Sequence, residues 1–232
     1  NMYSSGSLDS YIPNARADNA IAYRGKFGGL TLGATWSFGR DAVYAGPSPG
    51  GTNCAGETPG NARQCRGWSA LAKFDAAAGG VALAIDELRG GPGAFAGLTS
   101  ADKVDRRISA NGYVNFGNTR VAGGLVRRSN DGAPAARRSD LWYAGVSHKL
   151  TPAITLEGQG YRLDYAANND AALLFAARAQ YAFSRRTSGY VTVGTIDNDG
   201  SLALSVSGGA PGSSPVAGGS QQGVMVGVRH AF

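Results

Sequence analysis

Basic side chains recur at alternate positions of short apolar segments: Arg24, Lys26, Lys73, Arg107, Arg120, Lys149, Arg178 and Arg229. Asp75, Asp86, Asp105 and Glu157 fall on the same parity. Residues two apart in an extended strand share a face. These groups therefore belong to one polar face on which basic charge exceeds acidic charge. Such a face makes and breaks no bond; its field sorts ions by sign. Pairing with the nearby acids is the competing use, as Arg24 could have with Asp18 or Asp86.

Groups for bond-making chemistry are sparse. The chain has two histidines, His148 and His230. One falls near a strand end and the other two residues from the C-terminus, and no segment suggests a Ser-His-Asp arrangement. No Cys/His cluster has metal-ligand spacing, and no glycine motif has the phosphate-loop form. The expectation is no enzyme, no cofactor and no metal. Cys54 and Cys65 are the only cysteines and sit in one Gly/Pro-rich stretch. They are either two free thiols or a local disulfide tying a loop. The second is expected, and it implies an oxidising compartment.

The elements that must hold these charges are strands. The chain ends QQGVMVGVRHAF. Val224, Val226, Val228, His230 and Phe232 share one face, while Met225, Gly227, Arg229 and Ala231 share the other. The pattern recurs upstream. It predicts eleven strands, over 18–26, 30–38, 65–75, 81–88, 103–116, 119–128, 140–150, 154–164, 171–183, 190–197 and 221–232. Gly117-Asn118 reads as a two-residue hairpin turn. Connections alternate short and long along the chain, with the longest at 39–64 and 198–219. If the short turns lie at one end, Phe27, Phe74, Phe116, Phe183 and Phe232 gather at that end. Trp36, Phe38, Trp68 and Trp142 gather near the other. Two aromatic girdles around an apolar band, with asymmetric loops, describe a transmembrane β-barrel. A soluble sandwich has no reason to sort its aromatics in this way.

Composition agrees. The chain has 232 residues, 36 of them Gly, with 16% charged residues and a formal net charge of +6. Glycine at about twice its usual share of ~7% suits tight turns and close-packed strands. No apolar run is long enough for a transmembrane helix. The basic residues are scattered, which argues against a nucleic-acid partner. The polar start, NMYSSGSLDSYIP, shows no signal peptide.

Three stretches carry a resemblance: DNAIAYRGKFGGLTLGATWSFG at 18–39, WYAGVSHKLTPAITLEGQGY at 142–161 and GVMVGVRHAF at 223–232. Their order and spacing resemble the Gram-negative general porins of betaproteobacterial and neisserial type. The resemblance implies an outer-membrane channel for passive diffusion of ions and small hydrophilic solutes. It also implies a homotrimer in contact with lipid and lipopolysaccharide, and a closing strand read by the barrel-assembly machinery. That family has sixteen strands. On this reading residues 18–232 supply the last eleven strands of one barrel domain, and 1–17 are the tail of the constriction loop. The first five strands, with part of the trimer contact, would lie upstream; a complete barrel of ten or twelve strands is the competing architecture. The family's constriction carries an arginine-rich wall. The residues expected to line it are Arg16, Arg24, Lys73, Arg107, Arg120 and Arg178, which implies anion selectivity. Gly33, Gly124, Gly145, Ser69 and Ser109 on the inner face should leave open space. A rival function is a surface-recognition or adhesive barrel with a plugged lumen.

Overall fold

The computed structural model describes residues 19–39, 54, 56–94, 97–134, 137–168, 170–207 and 212–232. Eleven strands follow one another in the chain: β1 (Ala20–Phe27), β2 (Leu30–Ser37), β3 (Gly67–Asp75), β4 (Gly79–Arg89), β5 (Val104–Phe116), β6 (Thr119–Asn130), β7 (Arg138–Lys149), β8 (Ile154–Tyr165), β9 (Ala171–Ala182), β10 (Thr187–Asn198) and β11 (Gln221–His230). They form one antiparallel sheet in sequential order. All eleven stand where the alternation placed them. β4, β6, β7, β8 and β10 run one to three residues further at one or both ends than the apolar pattern indicated. Their polar ends stay in the ladder because a buried or lipid-adjacent backbone group must keep its hydrogen bond. β3 starts later than expected, at Gly67. Cys65 has φ 60° and belongs to the loop.

The short connections lie after β1, β3, β5, β7 and β9 and the long ones after β2, β4, β6, β8 and β10. Gly28 and Gly117 open the two-residue turns with φ 60° and 56°. That is the geometry a tight hairpin needs and a side chain resists.

One face of the sheet is apolar and exposed. Ile21, Leu83, Val224 and Val226 are 70%, 61%, 70% and 77% accessible, on strands far apart in the sheet. A water-soluble sheet would cover such a face; hydrocarbon can cover it instead. Beyond Trp142 this outward face turns charged. Arg127 forks Asp140 at 2.6 and 3.2 Å, Arg138 meets the same carboxylate at 2.9 Å, and Arg162 meets Asp164 at 2.9 Å. This change marks the upper edge of the apolar band. Phe27, Phe74, Phe116 and Phe183 are exposed near the short-turn end, as is Phe232 at the chain end. Trp36, Phe38 and Trp142 are exposed near the long-loop end, and Trp68 there is half-buried.

The other face carries the buried side chains. Its main cluster is Leu141, Tyr161, Leu163, Ala172, Leu174, Ala176, Ile196 and Val206. Several inner glycines are covered by aromatic rings on the neighbouring strand. A Cβ on Gly124 would stand 2.6 Å from Tyr143 Oη, and one on Gly80 would stand 2.8 Å from the Tyr113 ring. Gly227 lies under Tyr190 in the same way. Gly124 therefore does not leave the open space expected of it, because Tyr143 fills it. Gly33 is nearer the expectation, with its nearest neighbour, Leu71 Cβ, at 3.6 Å.

The two faces should respond oppositely to charge. Leu83→Arg, at the centre of the outward band, should destabilise the full-length barrel by about 2–4 kcal/mol. Ala84→Arg, one residue on and facing inward, should cost little. Reversible denaturant unfolding in lipid vesicles measures both. Equal costs would show that the faces are misassigned.

Candidate functional site

The register assembles the inner face into rows that cross the strands. One row runs Arg24, Gly33, Leu71, Ala84, Ser109, Val126 and Leu141. Another runs Asn115, Arg120, Ser147, Glu157, Arg178 and Thr192. Lys73, Arg107, Arg128 and Asp105 belong to the same face. The sequence-expected basic residues thus share a face, yet they do not form one ring. Arg24 and Arg178 stand three and four residues from the short-turn ends of β1 and β9, whereas Arg107 stands nine residues from that end of β5. Arg16 lies outside the described residues.

The basic residues differ in how free their charge is. Arg24 is exposed on a recess of about 770 Å³ that Asp86, Arg107, Ser69 and Ser109 also line. Among the described residues no carboxylate pairs with Arg24 or Arg120. Arg120 lies over Tyr113, its guanidinium carbon 3.6 Å from the ring centroid. Tyr113 donates to Asp75 at 2.8 Å, and Asp75 pairs with Lys73 at 2.7 Å. Arg178 contacts Glu157 at 3.4 Å and stacks on Tyr190 at 4.8 Å. A guanidinium on an aromatic face keeps its charge while losing its freedom to swing. Arg120 and Arg178 are therefore pinned to the wall.

Arg107 departs from the expected free cation. It is 8% accessible and meets Asp105 at 3.4 Å. Arg128, absent from the expected set, forks the same carboxylate at 3.0 and 2.8 Å. Asp105 is fully buried between the two. Both cations are thus engaged, at least in part, with a buried carboxylate. Alternation placed Arg107 on this face; it could not show that Arg128, one strand over, competes for the same acid.

The upper inner face of β7–β10 is apolar, which the sequence reading did not expect. The loop between β10 and β11 lies on it, with Leu202 and Leu204 packed beside the buried Val206. Asn198 donates to the Leu204 and Gly219 carbonyls at 3.1 and 2.8 Å and accepts from the Leu204 amide at 3.0 Å. Gln221 accepts from the Val206 amide and donates to the Ser213 carbonyl. Asp170 accepts from the Ser201 amide and hydroxyl at 2.8 and 2.5 Å. These bonds hold the Asp170 carboxyl below its ordinary range. The signal was present in the unbroken apolar run 171–177, where both parities of β9 are apolar.

Cys54 and Cys65 are joined by a disulfide, buried in the β2–β3 connection. His148 and His230 sit on the outward face near the short turns. Each shares a hydrogen bond with a cross-strand threonine, Thr119 at 2.8 Å and Thr187 at 2.9 Å. Neither joins a nucleophile and an acid, and no metal-binding cluster occurs among the described residues.

A sheet with an apolar exposed face, a charged inner face, short turns at one end and longer loops at the other is the wall of an outer-membrane β-barrel. The sequence profile of the Gram-negative porins matches residues 1–201. The chain belongs to that family, whose members reside in the bacterial outer membrane. Among solved structures it is similar to an anion-selective porin from Comamonas acidovorans, at 21% identity and a TM-score of 0.71, over 93% of this chain and 60% of that one. It is also similar to OmpT, an outer membrane protein of Vibrio cholerae, at 12% identity and a TM-score of 0.61, over 92% and 64%. The trimer form of that protein matches at 12% identity and a TM-score of 0.59, again over 92% and 64%. The chain thus spans less than two thirds of the length of these structures. No curated protein matches it.

Two outcomes test this geometry. Alkylation of the unreduced, oxidised protein should find no reactive thiol at Cys54 or Cys65, and replacing both by Ser should cost at most about 2–4 kcal/mol. Two freely alkylated thiols would refute the bond. The Asp170 latch has a defined pH sign. Its folded pKa is depressed, so its stabilisation is complete above the ordinary carboxylate value of ~3.9 and fades only as pH falls below it. Proteolytic resistance of the β10–β11 loop should be the same at pH 7 and pH 5. Asp170→Asn should lower it at both.

Proposed function

We propose that this chain forms most of the wall of a water-filled diffusion channel that prefers small anions and hydrophilic solutes. The observation that carries the reading is the inner face itself. Arg24 and Arg120 have no carboxylate partner among the described residues, and the aromatic clamps keep Arg120 and Arg178 charged and out of the passage. Arginine stays charged at any working pH. Its field reaches about a Debye length, ~8 Å at physiological salt, which is comparable to a pore radius. The Comamonas neighbour, an anion-selective porin, favours the same sign.

Closure requires more strands. β1 and β11 are the two edges of the sheet and both run toward the short-turn end. They cannot pair antiparallel with each other, so an odd number of further strands must stand between them. Five upstream strands meet that requirement and give an even-numbered barrel. The trimer form of the Vibrio neighbour supports a homotrimer for the complete barrel. The outward apolar band suits outer-membrane lipid and lipopolysaccharide. Strand β11, apolar on its outward face and flanked by the aromatic Phe232, suits recognition by the barrel-assembly machinery. The inward β10–β11 loop favours the rival reading, a recognition barrel with a plugged lumen, to the extent that it narrows the passage.

The full-length protein in a planar bilayer distinguishes the two. Under a salt gradient it should conduct with a reversal potential of anionic sign that shrinks at high salt. Neutralising Arg24, Arg120 and Arg178 together to Gln should move that potential toward zero. Neutralising the paired Lys73 alone should move it less. Absence of conductance would favour the plugged barrel. A cationic sign, or no shift in the triple variant, would remove these arginines from the filter.

A further inference from the structure

Above the apolar band, two groups on the outward face repeat one design. On β4 and β5, Arg106 donates to Glu87 at 2.9 Å, and Arg89 meets the same carboxylate at 3.3 Å. On β6 and β7, Arg127 and Arg138 share Asp140. In both groups the acid is recessed and the cations are presented. The Glu87 and Asp140 side chains are 4% and 18% accessible, against 48%, 47% and 49% for Arg106, Arg127 and Arg138. The carboxylates orient the guanidiniums from beneath and leave them facing out.

The register brings the two groups together. One outward row runs Trp68, Glu87, Arg106, Ser129 and Arg138. Arg106 and Arg138 flank Ser129 from the strands on either side, so their Cα atoms stand about 10 Å apart. Arg127 stands on the same face of β6, one outward position before Ser129. Three guanidiniums therefore surround one exposed hydroxyl, in the row of the girdle residue Trp68. Arg89, Arg106, Arg127 and Arg138 exceed Glu87 and Asp140 by two positive charges. The adjacent Arg162–Asp164 and Arg137–Asp131 pairs are neutral. Simple neutralisation of strand ends would leave no such excess. Arginine's planar fork matches phosphate oxygens, and a cationic patch at the membrane edge attracts anionic headgroups. We propose that this cradle seats the phosphate monoester of an outer-leaflet lipid headgroup, with the acyl chains on the apolar band below it. A phosphate monoester carries close to two negative charges at neutral pH, which matches the excess, whereas a phosphodiester carries one. Ser129 offers a further donor to the same oxygens. This rests on the outward band facing outer-membrane lipid, as proposed above.

The experiment adds short-chain lipids to the full-length barrel in detergent and reads binding by native mass spectrometry at pH 7.5. Dioctanoyl phosphatidic acid is the monoester probe. The phosphatidylglycerol and phosphatidylcholine of the same chain length are the comparisons, and inorganic phosphate is the competitor. Phosphatidic acid should bind about tenfold more tightly than phosphatidylglycerol, and phosphatidylcholine more weakly than either. Ser129→Glu, at an exposed position, places a negative charge between the three arginines and should abolish the preference. Arg138→Gln leaves Asp140 to Arg127 and should reduce the preference about threefold. Heat-modifiable gel mobility checks that each variant is folded. Phosphatidic acid binding no tighter than phosphatidylglycerol, or a preference unchanged in the folded variants, overturns the cradle. Displacement of phosphatidic acid by an equal concentration of inorganic phosphate overturns the lipid assignment, because it would mean a seat for free anions. A barrel that inserts into lipid vesicles without the preference sinks the cradle alone. Failure of the full-length barrel to insert sinks the reading of the outward band.

Discussion

Every backbone amide and carbonyl of a strand in lipid must find a partner on the next strand, because hydrocarbon offers none. The rest of this structure follows from that requirement. It makes the ladder continuous from β1 to β11 and carries it through the charged strand ends where the apolar pattern has already stopped. It fixes the register, and register fixes which side chains share a row. A slip of one residue would exchange the apolar and charged faces of a strand. Arg127 in the outward ion pairs around Asp140 and Arg128 in the inward cluster around Asp105 are adjacent in sequence and opposite in space for this reason.

Within that frame the inner face is built by size as much as by charge. Glycines beneath Tyr143, Tyr113 and Tyr190 let these side chains pass close over the backbone of the neighbouring strand. Two of those rings then receive the Arg120 and Arg178 guanidiniums. Glycine, tyrosine and arginine thus cooperate on neighbouring strands. The first makes room for the second, and the second holds the third against the wall. Stacking on tyrosine fixes the arginine charge against the inner face.

The two sides of the inner face differ. Toward β1–β6 the wall is polar and basic, with Arg24 exposed. Toward β7–β10 its upper half is apolar and covered by the β10–β11 loop, latched through Asp170, Asn198 and Gln221. A long loop over an apolar inner surface removes that surface from water, which gives a physical reason for both features. The inner face thus has a basic side and a loop-covered side.

Strand positions, the two-sided alternation, the alternation of turn lengths and the aromatic distribution were all legible in the linear order of residues. Each is a short-range pattern, with a period of two along a strand or a glycine at a tight turn. The three motif stretches were enough to suggest the family. Three other features depended on residues far apart in the chain. Arg128 shares Asp105 with Arg107 across 23 positions, Ser201 binds Asp170 across 31, and the β10–β11 loop turns inward because both parities of β9 are apolar. Gly124 was read as space and is occupied by Tyr143. Alternation assigns a residue to a face, but it says nothing of its neighbours within that face. Pairing, covering and filling are settled between strands, by register and side-chain size, and only the assembled sheet brings those partners together.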